Sequence, residues 1–266
     1  MLEAVEAAFD DVAAPVDSPV KAASSFAASC PPGELVFAAA GSTVIVGGRR
    51  TALLDQIAAE GFDTVAVDVT DQASVGRARE TILHSHPNLD TIVTMAGIMI
   101  REDLRDPGRF SAAEQTIDVN LLGGTIRVID AFTPHLIARG AGTIITVTSG
   151  IGFLPFPVMP TYAASKAAVH AYSEALCAQL DGTGVEVSEL VPPAVATTPE
   201  QAQSNPNALG PADYATKVFG LLQAGPTPHE ILVKAVHMHR WAERDGTYDK
   251  LVAQRSQALA TLPGRQ

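Results

Sequence analysis

Thr143-Ile-Ile-Thr-Val-Thr-Ser-Gly-Ile-Gly-Phe-Leu-Pro-Phe-Pro-Val-Met-Pro-Thr-Tyr-Ala-Ala-Ser-Lys166 packs a strand, a turn and the start of a helix into one stretch. Thr143 to Val147 is a short β-branched run suited to a buried strand, and the Ala-rich segment from Thr161 has the composition of a helix. Tyr162 and Lys166 stand four residues apart, which on a helix places both side chains on one face, one turn from each other. An ammonium beside a phenol favours the phenolate, so this spacing predicts a Tyr162 pKa lowered toward neutrality and a candidate general acid/base. A lone Tyr-x-x-x-Lys pair is a weak signal, and its neighbours must carry the rest.

The strand-then-helix pattern repeats on both sides. Upstream, Thr43 to Val46 reads as a strand, Thr51 to Glu60 as a helix ended by Gly61, and Thr64 to Val67 as a strand. A helix over 71–84 follows, with Asp71 as its N-cap, then a strand over Thr91 to Thr94 and a long helix over 112–138. Downstream, the helix holding Tyr162 ends near Leu180-Asp-Gly182, and Val185 to Val191 closes the series. Apolar strands alternating with helices predict a doubly wound parallel sheet covered on both faces, a three-layer α/β/α fold. Ligands bind such sheets at the carboxyl ends of the strands. Arg49, Asp68, Gly97, Ser149 and Thr197 all fall at those ends.

Composition narrows the function classes. The chain has 266 residues, 47% of them hydrophobic, enough for one sizeable α/β domain. Its formal charge of −11 and pI near 5.0 disfavour nucleic acid and anionic membrane surfaces as partners. The two cysteines, Cys30 and Cys177, lack metal-ligand spacing and fit a reduced, cytoplasmic setting. The start is acidic, unlike a signal peptide. The longest apolar run, 35–46, is broken by Gly41-Ser42-Thr43 and is too short to span a bilayer.

Taken in order, these pieces resemble the short-chain dehydrogenase/reductases, specifically their DltE-like branch. The resemblance covers about Gly41 to Gly246. It rests on Val46-Gly-Gly-Arg-Arg50, Val67-Asp-Val69, Ala96-Gly-Ile98, Val119-Asn-Leu121, Thr148-Ser-Gly150, Val158-Met-Pro-Thr-Tyr-Ala-Ala-Ser-Lys166, Val191-Pro-Pro-Ala-Val-Ala-Thr197 and Pro226-Thr-Pro-His-Glu-Ile-Leu-Val-Lys234. It implies a Rossmann-like fold and hydride transfer between a nicotinamide cofactor and a carbonyl or secondary alcohol. Tyr162 would exchange the proton, and Lys166 would depress its pKa and bind the nicotinamide ribose. Ser149 would hold the substrate oxygen, and Asn120 would support a water linking Lys166 to solvent. Asp68 and Val69 match adenine-contacting positions, Ala96 and Gly97 line the cofactor, Pro192 precedes the nicotinamide site, and Thr197 contacts the nicotinamide amide. Where NAD-preferring folds place a carboxylate after the second strand, this chain has Gly48-Arg49-Arg50, so NADP(H) is favoured over NAD(H) through Arg49. A homodimer or homotetramer paired through the long helices is implied, and no metal is.

The match breaks near the start. The glycine-rich turn that carries the cofactor pyrophosphate should fall near Ala23 to Cys30, where the chain reads Ala-Ser-Ser-Phe-Ala-Ala-Ser-Cys, followed by Pro31-Pro32. Residues 13–20, with Pro15 and Pro19, make a poor central strand. Residues 1–34 are therefore set apart as an atypical segment, with one Rossmann-type domain and a C-terminal helical extension over 35–266. Three explanations stand, in order: an altered reading of the gene, a family-fold scaffold or interaction protein without cofactor binding, or phosphate held by Ser24, Ser25 and Ser29. Residues 1–12 carry the spacing of a short amphipathic helix. A smaller departure is Thr94-Met95-Ala96-Gly97, where Met95 replaces an Asn that ties strands together; a shifted loop or lower stability is expected.

Other residues weigh less. His84, His86, His237 and His239 lack zincin spacing. The run Phe153 to Met159 should wall the substrate pocket and hints at an apolar or aromatic carbonyl substrate.

Overall fold

The computed structural model describes residues 20–24, 41–197, 202–203 and 205–264. The glycine-free stretch from Ser25 to Cys30, Pro31-Pro32 and the helix expected over 1–12 lie outside the described residues. Seven parallel strands form one sheet in the order β3-β2-β1-β4-β5-β6-β7. They are β1 Val20–Ser24, β2 Thr43–Gly48, β3 Asp63–Ala66, β4 Leu89–Thr94, β5 Gly142–Val147, β6 Val185–Val191 and β7 Glu230–Leu232.

β1 corrects the expectation for the first strand. It pairs with β2 from Val20↔Thr43 to Ser24↔Gly47 and with β4 from Lys21↔Thr91 to Ser24↔Thr94, at the centre of the sheet. The five strand residues, Val20-Lys-Ala-Ala-Ser24, include no proline, so every one of them has the N–H that a ladder needs. β7 has no counterpart in the sequence-based reading. At three residues it is too short for periodicity to reveal. Its place is set by pairing with the end of β6, where Glu189↔Glu230, Leu190↔Ile231 and Val191↔Leu232 are in register.

Successive residues of the central strands feed opposite faces. Ile45, Ile92 and Ile144 pack on one face against Ile82 of α2 (Gln72–Ser85), Leu136 of α4 (Val128–Arg139) and Leu176 of α6 (Pro160–Leu180). On the other face, Val44 and Val46 meet Leu54 and Ile57 of α1 (Thr51–Ala59). There Val93, Ile145 and Leu190 also meet Val218 and Leu222 of α7 (Pro211–Gln223). Burial on both faces is why these strands are continuously apolar. Asp71 caps α2 as expected, accepting from the Ala73 N–H at 2.9 Å.

The long helix runs over 110–139, but not uniformly. α3 (Phe110–Ile117) passes into a π-wound stretch, Asp118–Arg127, before α4. Gly123 and Gly124 sit in this stretch because the backbone crosses the sheet ends too closely for a side chain. A Cβ would lie 2.5 Å from the Val69 carbonyl oxygen at 123, and 2.6 Å from that of Ala96 at 124. Met95 packs among Val93, Val218 and Leu222, while the buried Thr94 hydroxyl has no hydrogen-bond partner. No helix among the described residues is long and apolar enough to cross a membrane.

Candidate active site

The strand ends of β2 through β6 bring the expected residues to one edge. Ser149 follows β5 and caps α5 (Gly150–Phe153), accepting from the Ile151 N–H at 3.3 Å. Its hydroxyl also lies near enough to Tyr162, in the first turn of α6, to favour the phenolate. Pro160 starts this helix, where its missing N–H costs nothing. The buried Glu102 completes that end, accepting from the Thr161 N–H at 3.0 Å and its hydroxyl at 2.8 Å. A carboxylate at a helix N-terminus is also favoured by the helix dipole. The Glu102 N–H in turn bonds the Val158 carbonyl at 3.0 Å.

Lys166 lies one turn beyond Tyr162, 4% exposed, with Nζ donating to the Val147 carbonyl at 2.7 Å. Nζ is 5.9 Å from the centre of the Tyr162 ring. Here the structure corrects the expected electrostatics. Burial raises the Tyr162 pKa above its ordinary value, and the nearby Ser149 hydroxyl only partly offsets that. The ammonium turns to Val147 instead of the phenol, and burial brings its own pKa down to about 8 against an opposing pull from Glu189.

Asn120 lies in the π-wound stretch and is fully buried. Its Oδ1 accepts from the Ile98 N–H at 2.7 Å, while Nδ2 donates to the Ile98 carbonyl at 2.9 Å and to Ser165 Oγ at 3.1 Å. The side chain thus braces the 96–98 turn against α6 beside the catalytic candidates. At Gly97 a Cβ would sit 3.4 Å from Asn120 Oδ1 and 3.8 Å from Lys166 Nζ, so glycine keeps the floor of this edge open.

The residues expected to bind cofactor divide into two groups. Arg49 and Asp68 stand 4.0 Å apart beyond β2 and β3. Burial works to raise the Asp68 pKa, but bonds from the Thr70 hydroxyl and N–H, with Arg49 and Arg127 nearby, leave it below the ordinary value. Val69 and Ala96, by contrast, are buried at 1% and 2% exposure within the core, so their side chains are packing residues. The Pro192 carbonyl accepts from the Gly150 N–H at 2.9 Å, tying the ends of β5 and β6, and Thr197 follows beyond them.

A second cluster escaped the sequence-based reading. Glu189, on β6 and 1% exposed, accepts from Thr148 Oγ1 at 2.5 Å and lies 2.6 Å from His170 Nδ1. Its carboxylate hydrogen bond is the main reason the His170 pKa is raised. Ligand-type atoms of His170, Glu189 and Glu230 lie within 4.8 Å of one another. Arg240 donates to Glu230 at 2.6 Å, so the protein's own cations already balance these carboxylates and oppose a metal ion. Two signals pointed here: an acid inside an otherwise apolar strand, and a histidine four residues after Lys166 on the same helix face.

Of the run from Phe153 to Met159, Phe156, Val158 and Met159 line a cleft of about 910 Å3 that reaches Ser149. Residues 35–208 match the family model described as short chain dehydrogenase. The chain belongs to the short-chain dehydrogenase/reductase family. The chain is 34% identical over 172 residues to an uncharacterized oxidoreductase, DltE, of Bacillus subtilis, covering 64% of this chain and 68% of that one. A short-chain dehydrogenase from Streptomyces avermitilis shares the fold at a TM-score of 0.74 and 23% identity, covering 92% of this chain and 100% of that one. An alcohol dehydrogenase from Thermococcus sibiricus, complexed with 5-hydroxy-NADP, superposes at a TM-score of 0.69 with 26% identity, covering 82% and 97%. The family is one of oxidoreductases, and the doubly wound sheet agrees with its members' structures.

Proposed function

We propose that this chain is an NADP(H)-dependent oxidoreductase that interconverts a carbonyl and a secondary alcohol, with Tyr162 as general acid/base. The observation that carries the proposal is the placement of Ser149 at the end of β5 beside Tyr162, with Lys166 one turn along and the cleft opening beside Ser149. The open floor at Gly97 and the Arg49–Asp68 pair fit the nicotinamide and adenosine ends of a dinucleotide. When bound, that cofactor supplies or accepts the hydride.

The chain's own residues do the rest. Ser149 donates to the substrate oxygen, where negative charge develops during reduction. The Tyr162 phenol gives that oxygen its proton, and its raised pKa keeps it protonated and ready to act as an acid. Lys166 places a positive charge behind the phenol, and Asn120 fixes the turn at Ile98 against α6. Arg49 supports the choice of NADP(H), because a guanidinium matches a 2′-phosphate. The small-molecule substrate, a homodimer or homotetramer, and a cytoplasmic setting belong to the same proposal. Exposed Phe110, Leu122 and Ile137 along the 110–139 helix support pairing through it.

Two measurements test the proposal. Tyr162→Phe should lower turnover by about 10²–10⁴-fold with NADPH affinity, read by nicotinamide fluorescence, changed less than about twofold. Wild-type turnover in that variant would remove Tyr162 from the mechanism. A second reading, a scaffold without catalysis, is favoured by the glycine-free stretch at Ala23 to Cys30. Absence of saturable NADPH binding at millimolar concentration would decide for it.

A further inference from the structure

The cleft beyond Ser149 has an unusual charge balance. Ile151, Phe156, Val158 and Met238 give it apolar walls, and two guanidiniums, Arg101 and Arg255, share its lining. Arg255 is partly buried, donates to the Leu154 carbonyl and lies 5.9 Å from the Phe156 ring centre. Arg101 stands nearer solvent and donates to the Thr261 hydroxyl.

Among the described residues, neither makes an ion pair, although the chain carries 29 acidic against 18 basic side chains. Arg49, Arg77, Arg105, Arg127, Arg240 and Arg244 reach carboxylates, whereas Arg79 and Arg139 share the lack of an ion pair among the described residues but lie outside the cleft. For the partly buried Arg255, a cation without a counter-ion is destabilising, and an acidic chain had ample means to supply one. The same lining holds His239, whose buried Nδ1 has no hydrogen-bond partner. Burial and Arg255 bring its pKa down to about 4, so at neutral pH it adds a hydrogen-bonding group and no charge.

We propose that the substrate is a carbonyl compound that also carries a carboxylate on an apolar body, with the carboxylate held by Arg255 and Arg101 assisting from the mouth of the cleft. The proposal deepens the oxidoreductase function above and rests on it. The guanidinium fork matches a planar carboxylate, and the Leu154 carbonyl holds the Arg255 group in place. The apolar walls of the cleft that Ser149 and Arg255 share favour a hydrocarbon body linking carbonyl and anion. The acid end therefore selects the substrate, while Ser149 and Tyr162 act on its carbonyl.

Binding and turnover are tested separately. Calorimetric titration of the full chain, without cofactor, compares heptanoate with heptanamide. Heptanoate should bind at least about tenfold more tightly, and Arg255→Met should shrink that preference below about twofold. Arg101→Met, at an exposed position, should reduce it severalfold and guards against a misfolded Arg255 variant. Arg255→Lys should restore part of it. In turnover with NADPH, 6-oxoheptanoate should exceed its methyl ester in kcat/KM by a similar factor, carried mostly by KM. Equal binding of acid and amide by the wild type, or an undiminished preference in both Met variants, overturns the proposal. Tighter binding of heptyl phosphate than of heptanoate overturns the choice of carboxylate. Acid-selective binding through Arg255 with no turnover of either ketone supports the anion site and sinks the oxidoreductase reading alone.

Discussion

Tyr162, Lys166 and His170 occupy successive turns of one helix face, yet each meets a different electrostatic environment. Tyr162 is held protonated by burial, Lys166 is brought down to about 8 by burial, and His170 is raised by its bond to Glu189. The pH dependence follows from these directions. A phenol with a raised pKa remains an acid through the neutral range, so reduction should lose it only well into the alkaline range. Lys166 loses its charge earlier, and kcat for reduction should begin to fall near pH 8. Lys166→Arg keeps the charge at all accessible pH and should remove that limb from a pH–rate profile. A limb that survives in the variant would assign it to another group. The i, i+4 spacing of Tyr162 and Lys166 was legible in the sequence. The direction of the Tyr162 pKa was not, because it depends on where Nζ points, and Val147 is nineteen residues away on a strand.

At the scale of elements, the helix over 110–139 shows how far periodicity carries. Its extent could be read from composition and Asn120 from the family resemblance, but the π winding could not, since it answers to the strand ends it crosses. Gly123 and Gly124 permit that crossing. Gly123→Ala and Gly124→Ala should each cost about 3 kcal/mol or more, because backbone carbonyls from β3 and β4 connections must move to admit a Cβ. Urea unfolding measures this directly, and a loss below about 1 kcal/mol would show that the crossing yields easily. β1 and β7 mark the opposite limit. Val20–Ser24 is short and follows prolines, so local propensity argued against it; its place is secured by ladders on both sides. Glu189 and His170 were visible one at a time, as an acid in an apolar strand and a histidine on a helix. Only the packing of α6 on β6 brings them together.

For the whole molecule, the parallel sheet gathers chemistry from strands far apart in sequence to a single edge. The expected ends of β2 to β6 all hold residues of the proposed site, which is why the order of elements was so informative. Arg101, His239 and Arg255 were not legible in the same way. They converge on the cleft from a loop and from helices near the C-terminus, with no spacing to link them. The outer surface carries its own prediction. Leu122 is 45% exposed on the 110–139 helix, and if the proposed dimer or tetramer pairs there, Leu122→Glu should give a monomer in sedimentation at micromolar concentration where the unaltered chain gives an oligomer. An unchanged sedimentation coefficient would move the interface elsewhere.

Glu102 links two of these regions through adjacent residues. Its neighbour Arg101 lines the cleft, while its own carboxylate holds the Thr161 amide at the start of the helix that carries Tyr162. The Thr161 amide proton is therefore a built-in gauge. Its rate of exchange with deuterium reports whether Glu102 is engaged, and occupancy of the cleft should register there without any turnover.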